Sequence, residues 1–450
     1  MERIVTRIAP SPTGRMHIGT VRTALFNYLF AHQYQGTFFV RIEDTDAERN
    51  RPEWTQAILD DFTWCGLEPD RVYIQSEHLG RHQELLQKLI EEGKAYVSKE
   101  EAKDKSGRVV AVVRLKNPGK QVTFNDLIRG DISFDTTELG DFVIARSLTE
   151  PLYHFAVVVD DADAGVTHII RAEDILSSTP RQILIQEALG FKRPHYAHLP
   201  LILAADRSKL SKRKHVVSIE EYRERGYIPE GIINYLALLG WNPGTEQESF
   251  SLSELVELFS IDQLQKSGAV FDEVKMCWFN REHLRRLSPD EYRNRIVAFV
   301  GETGGGIPEY LSAIIGLLQE RAETLGEAAA LLKSGEFAFM EDSVSIDPGL
   351  LVKGAKAEAK EVIGHLQSLK NLLSGISDME WDAERVKRES MGLAEEKGKA
   401  AVLWPLRVAL SGREKSPDPF TIAELVGKQK TLQRIGEAIE VLGKDTDDAF

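Results

Sequence analysis

A histidine and a glycine two residues apart, His17 and Gly19, stand where an apolar run has just been broken and a helical pattern begins. Free backbone N–H groups and the positive dipole at the amino end of a helix favour a phosphate there. A glycine lets the phosphate approach closely, and an imidazole can donate to its oxygens or carry a charge. Far along the chain Lys209, Lys212, Arg213 and Lys214 crowd together behind another apolar run, a cluster suited to triphosphate charge. Arg7 and Arg171 each close an apolar run. A planar guanidinium can clamp a carboxylate through two parallel hydrogen bonds, which lysine cannot reproduce. Glu43 follows a third such run and can hold an ammonium group. Taken singly, each has a plain alternative as a helix cap, a solvated loop, a surface ion pair or a turn.

The elements that must position these residues are legible from periodicity. Arg3 to Ala9 reads as a strand apolar on both faces, broken by Pro10-Ser11-Pro12-Thr13-Gly14. Ile18, Val21, Leu25, Tyr28 and Leu29 then recur at helical spacing. Thr37 to Ile42, Thr167 to Arg171 and Pro200 to Leu203 read as further buried strands. Strands buried on both faces belong to parallel sheets, whose ligands bind at the carboxyl ends. The arginines, Glu43 and the lysine cluster all fall at that edge, as a nucleotide-binding α/β fold requires. The phosphate-binding Gly-x-x-x-x-Gly-Lys and Gly-x-Gly-x-x-Gly patterns are both missing at the first turn.

Between these elements, 80–92 reads as an amphipathic helix through Leu85, Leu86, Leu89 and Ile90, with His78 and His82 on a solvated face. Lys99 to Arg108 reads as an exposed loop, and 109–146 as a series of short β runs. Pro151-Leu152-Tyr153-His154-Phe155 reads as the start of a buried helix that runs into Val157-Val158-Val159-Asp160-Asp161. Asp160, Asp161 and Asp163 are expected in a turn after it rather than around a metal. The rest of the chain has helical periodicity, for instance Leu311, Ile314, Ile315 and Leu318, and the glycine-rich 301–306 is the expected join. Cys65 and Cys277 have no Cys-x-x-Cys partner and read as small core residues. With 56 Lys+Arg against 70 Asp+Glu in 450 residues, the net charge of −14 argues against binding nucleic acid over the whole surface. Basic patches must carry any such contact. No apolar run is long enough to span a bilayer, so a cytoplasmic protein is expected.

In this context Arg7 to Gly14 followed by His17-Ile18-Gly19-Thr20 resembles the opening of the bacterial glutamyl-tRNA synthetases, class I aminoacyl-tRNA synthetases. Lys209-Leu210-Ser211-Lys212-Arg213 resembles the second class I signature, and the resemblance extends over nearly the whole chain. It implies a Rossmann-type parallel-sheet catalytic domain (1–95 and 151–225) interrupted by a β-rich acceptor-end-binding insertion (96–150). A helical stem-contact domain (226–305) and a helical anticodon-binding domain (306–450) follow. The implied activity is ATP-dependent ligation of L-glutamate to tRNA(Glu) through a glutamyl-adenylate, with tRNA(Gln) open as a second acceptor.

The same resemblance implies His17, Lys209 and Lys212 as catalytic groups. It places Pro12, Thr13, Gly14, His17, Gly19, Thr20, Leu210, Ser211 and Lys212 at ATP. Arg7, Ala9, Ser11, Glu43, Tyr153 and Arg171 are placed at glutamate, without saying which arginine takes which carboxylate. Val157 stands where relatives differ. Arg407, Lys428, Lys430 and Arg434 are candidates for tRNA contact. ATP with Mg²⁺ is implied, the ion carried by phosphates and waters. No structural zinc is expected, because Val97-Ser98-Lys99-Glu100 stands where some relatives have a cysteine-rich module. A monomer is expected. The rival readings are a catalytically altered RNA-binding relative and a small-molecule adenylyltransferase.

Overall fold

The computed structural model describes residues 3–45, 49–101, 109–210 and 218–447. The chain forms two compact units, Met1–Arg286 and Leu287–Phe450. The division falls ahead of the expected join at 301–306, because Gly301 lies inside a helix, Pro289–Glu302. The helices of 226–286 therefore belong with the sheet and not with the carboxyl half.

The first unit is built on β1 (Val5–Ile8), α1 (Ile18–Gln33), β2 (Thr37–Ile42), α2 (Pro52–Trp64) and β3 (Arg71–Ile74). The three strands pair in parallel, with Arg7 opposite Phe39 and Arg41 opposite Tyr73. Alternation sends Thr6, Ile8, Phe38, Val40 and Ile42 to one face of the sheet, and Arg7, Phe39, Arg41 and Tyr73 to the other. Ile8, Phe38, Val40 and Ile42 pack with α1, whose Ile18, Val21, Leu25, Phe26 and Leu29 are fully buried. Each such side chain contributes about 1.5–3 kcal/mol. On the second face Arg7 and Arg41 are buried beside Phe39, so the strand expected to be apolar on both faces carries an arginine inside. Gly36, between α1 and β2, is required by a close approach: a Cβ there would lie 2.3 Å from the Ile4 carbonyl oxygen.

The chain continues through α3 (Leu79–Glu91), β4 (Ala95–Glu101), β5 (Val109–Leu115), β6 (Gln121–Asp126), β7 (Gly130–Asp135), β8 (Phe142–Ser147) and β9 (Glu150–Pro151). It returns through α4 (Tyr153–Asp163), β10 (His168–Ala172), α5 (Thr179–Leu189), β11 (His195–Leu199) and β12 (Ile202–Leu203). The Thr167 N–H donates to the Val5 carbonyl at 3.0 Å and places β10 beside β1. β10 and β11 pair in parallel, with Arg171 opposite His198.

The β-rich insertion is not one separate sheet. β4, β5, β8 and β9 form an antiparallel sheet of their own, whereas β6 joins the edge of the parallel sheet beside β11 and carries β7 as a hairpin. Lys99 to Glu101 extend β4 instead of opening a loop; residues 102–108 lie outside the described residues. Asp160 and Asp161 lie in α4, buried, rather than in a turn. His82 is likewise fully buried rather than on a solvated face.

The second unit is helical in every described element from Pro289 on, apart from short 3-10 turns. Ser288 and Glu291 form a capping box ahead of Pro289 at the first helical position. Leu366, Leu369, Leu373, Leu406, Ile422 and Ile435 are buried. Gly354 passes so near Trp404 that a Cβ would meet the indole at 2.3 Å. No described helix is long and apolar enough to cross a membrane.

Candidate active site

At the carboxyl ends of β1, β10 and β11 a cavity of about 450 Å³ is lined by Arg7, Ala9, Ser11, His17, Gly19, Thr20, Tyr153, Arg171, Lys209 and Leu210, among others. Residues separated by two hundred positions thus meet around one space. Pro12, Thr13 and Gly14 lie outside its lining. Ser211, Lys212, Arg213 and Lys214 lie outside the described residues.

His17 caps α1. Its Nδ1 accepts the Gly19 N–H at 2.9 Å, and its carbonyl takes the Thr20 and Val21 N–H groups at 2.8 and 3.1 Å. An Nδ1 that accepts places the proton of a neutral imidazole on Nε2. The cap therefore fixes both the ring's orientation and its tautomer. The sidelong approach leaves little room at Gly19, where a Cβ would sit 3.2 Å from Nδ1.

The two arginines differ in their neighbours. Arg7 donates from Nε and Nη2 to both oxygens of Asp161, at 3.0 and 3.2 Å, and the same carboxylate holds Arg41. Arg41 in turn reaches Glu43 Oε1 at 3.0 Å. Burial works against the Asp161 carboxylate, but Arg41 and Arg7 outweigh it and hold its pKa below the usual range. For Glu43 the balance is reversed: burial outweighs Arg41 and raises its pKa. The neighbouring Asp160 takes bonds from Tyr73 at 3.0 Å, Gln75 at 2.6 Å and His82 at 2.6 Å. The polar side chains of this face thus converge on two adjacent carboxylates of α4.

Arg171, 5 % exposed, meets only neutral acceptors among the described residues. Its Nε donates to His198 Nε2 at 3.1 Å, Nη1 to Gln182 Oε1 at 2.7 Å and Nη2 to Thr179 Oγ1 at 2.8 Å. Of five N–H donors, these use three. Burial lowers its pKa below the ordinary arginine value. A buried guanidinium facing a cavity, with donors to spare and no bonded carboxylate among the described residues, can take an anion.

Tyr153, at the start of α4, is half-exposed at the cavity, while Val157 on the same helix is buried. Glu43 stands behind Arg41 rather than in the lining. Lys209 reaches the cavity and pairs with Asp174 at 2.6 Å. Among the described residues no three His, Cys, Asp or Glu side chains gather to hold a metal ion. A Mg²⁺ carried by phosphates and waters requires no such cage.

Sequence reasoning missed Arg22, Arg41, Asp126, Asp161 and His198. Arg22 lines the cavity from inside α1, donating to the carbonyls of Leu239 at 2.8 Å and Pro200 at 2.9 Å; burial lowers its pKa to about 10. A charged residue among the apolar positions of a buried helix was the available signal.

The residues expected to meet tRNA divide. Arg434 is buried, with its guanidinium on the carbonyls of Phe339, Leu410 and Glu341 at 2.6–2.8 Å, so it holds the helices together instead of reaching a phosphate. Lys428 donates to the Ile376 carbonyl at 2.5 Å, and Lys430 pairs with Asp342 at 2.8 Å. Arg407 is half-buried.

Two family models match the chain: tRNA synthetases class I (E and Q), catalytic domain, over residues 3–105 and 98–278, and anticodon binding domain over 290–439. The glutamate–tRNA ligase of Oleidesulfovibrio alaskensis is 40 % identical over 97 % of this chain and 99 % of its own length. Glutamate–tRNA ligase 1 of Syntrophus aciditrophicus is 38 % identical over 98 % of each. The crystal structure of a glutamate tRNA ligase from Elizabethkingia meningosepticum in complex with its amino acid superposes with a TM-score of 0.84 at 31 % identity, covering 98 % of this chain and all of that one.

Proposed function

Since the chain belongs to the class I glutamate–tRNA ligases, we propose that it joins L-glutamate to the terminal ribose of tRNA(Glu) in two steps within the cavity described above. An oxygen of the α-carboxylate attacks the α-phosphorus of ATP. The bond to the bridging oxygen breaks and pyrophosphate leaves, giving glutamyl-adenylate. A hydroxyl of the terminal ribose then attacks the acyl carbon, and AMP leaves with the bonding pair. Mg²⁺ accompanying ATP supplies charge neutralisation at the phosphates.

The observation that carries this reading is Arg171, a buried cation with only neutral partners at the rim of a nucleotide-sized space. It receives one glutamate carboxylate, while Arg7, already shared with Asp161, completes the polar wall. Tyr153, Ala9 and Ser11 surround the amino acid, and Glu43 acts on it only through Arg41. The amino end of α1, with Gly19 and Thr20, receives phosphate. His17 donates from Nε2 to the reacting phosphoryl group, and Lys209 and Lys212 act on the leaving phosphates. Lys209 must leave Asp174 to do so. Catalysis of this kind rests on positioning and on charge aimed at the transition state.

The carboxyl unit serves as the anticodon-binding part, with Arg407, Lys428 and Lys430 as its remaining basic candidates. Such an enzyme works beside the translation machinery of the cytoplasm. The test is tRNA-dependent release of pyrophosphate from ATP, with glutamate, glutamine and aspartate offered separately: only glutamate should support it at micromolar to millimolar concentration. His17→Ala should lower that rate roughly 10²–10³-fold and cost about 1 kcal/mol of stability through the lost cap. An unchanged rate in this variant would remove His17 from the chemistry.

A further inference from the structure

On its Nε side Arg171 is held by His198, and through it by Asp126, neither of which lines the cavity. The Asp126 carboxylate, on the last residue of β6, lies 2.6 Å from His198 Nδ1 and also accepts the backbone N–H groups of His198, Ile128 and Arg129. A carboxylate so surrounded by donors has to be the acceptor. Burial raises its pKa, but the His198 bond and the backbone bonds outweigh burial and hold it below the usual carboxylate range. His198 therefore carries its proton on Nδ1. At the other nitrogen the Arg171 Nε–H can only donate, so His198 Nε2, at 3.1 Å, accepts. The imidazole is neutral, with its tautomer fixed at both ends, and burial keeps its pKa low.

We propose that Asp126 and His198 are positioning residues for the amino acid, holding the Arg171 guanidinium in place through a neutral acceptor so that its charge stays available to a substrate carboxylate. The inference rests on the reading of this cavity as the glutamate site. A carboxylate in direct contact would orient Arg171 equally well but would neutralise it, as Asp161 does for Arg7. One imidazole interposed between carboxylate and guanidinium gives orientation without that contact. The Asp126 charge is spent on backbone N–H groups and on the His198 ring. The same contact also ties the β6–β7 hairpin to the amino-acid site, since Asp126 closes the hairpin's turn.

The test uses the full-length enzyme charging tRNA(Glu), with KM for glutamate and for ATP measured separately. Asp126→Asn is isosteric and can still accept from Ile128 and Arg129, but its amide can turn a donor toward His198 Nδ1 and move the ring proton to Nε2, against the Arg171 Nε–H. His198→Phe removes the acceptor, and His198→Gln keeps a neutral acceptor oxygen. Asp126→Asn and His198→Phe should raise KM for glutamate roughly 10- to 100-fold, the cost of a buried donor left unpaired. KM for ATP should stay within about twofold, and His198→Gln should recover most of the loss.

An unchanged KM for glutamate in Asp126→Asn overturns the proposal. So does a parallel rise in both KM values with His198→Gln no better than His198→Phe, because that pattern marks a merely structural role. Should His198→Phe fail to fold, Asp126→Asn and His198→Gln still decide. If Arg171→Ala itself leaves KM for glutamate unchanged, the glutamate reading of the cavity is what falls.

Discussion

Arg171→Ala should reduce kcat/KM for glutamate by roughly 10²–10⁴-fold, the cost of removing one partner of a buried charge pair. In the free enzyme this guanidinium is buried against His198, Gln182 and Thr179, none of them charged partners. In the proposed function the substrate carboxylate is the counter-ion that Arg171 receives. A neutral amide offered instead leaves that cation without its charge-assisted pair, so selection of glutamate over glutamine should collapse in the same variant. Arg171→Lys restores a charge but not the planar fork, and its loss should be intermediate. Initial rates of tRNA charging with each amino acid check both statements, and near-normal glutamate use by Arg171→Ala would sink the assignment. KM for ATP should move little.

Asp161→Ala should cost about 3–5 kcal/mol, because it leaves Arg7 as an uncompensated buried charge and Arg41 with Glu43 as its remaining carboxylate. Against a typical total of about 5–15 kcal/mol that is a large fraction. Urea unfolding should show a much lower midpoint at pH 7. The isosteric Asp161→Asn isolates the charge and gives the pH dependence a sign. The Asp161 pKa is lowered by folding, so its contribution is complete above the unfolded value of about 3.9 and is lost as pH falls through the folded value. The gap between wild type and Asp161→Asn should therefore be widest near neutrality and narrow below about pH 4. Glu43, in the same cluster, has the opposite sign. Its pKa is raised by burial, so its contribution is full at low pH and falls as pH rises through the folded value. A gap that stayed constant down to pH 3 would mean that Asp161 is not the charged partner of the two arginines.

Much of the site was legible because the chain writes it locally. Strand, break, His17, Gly19 and helix occur within a few residues, and the cap that orients the imidazole joins positions two apart. Arg7 and Arg171 were visible as charges closing buried strands. Their different settings were not, because the partners come from elsewhere: Asp161 lies 154 residues from Arg7, and Asp126 meets His198 across 72. The pair Asp160-Asp161 reads locally as a turn, since aspartate is a poor helix former. The arginines, tyrosine and histidine gathered from β1, β2, β3 and α3, together with Gln75, make a buried helical position tolerable.

His82 and Arg434 misled in the same way. A polar residue on an amphipathic helix looks solvated until a distant segment buries it. The placement of β6 was hidden for a related reason. A short strand inside a β-rich stretch does not announce which sheet it joins, and its single parallel register pair with β11 is a tertiary choice.

The most direct test of the central claim is glutamate loading, with ATP and Mg²⁺, onto separate tRNA(Glu) and tRNA(Gln) transcripts. The expected result is loading of tRNA(Glu). Loading of tRNA(Gln) as well would mark a non-discriminating enzyme, whose mischarged product a downstream amidotransferase must convert. Loading of neither, by enzyme shown to be folded and with transcripts shown to be competent, would contradict the account and favour an RNA-binding protein built on the same fold.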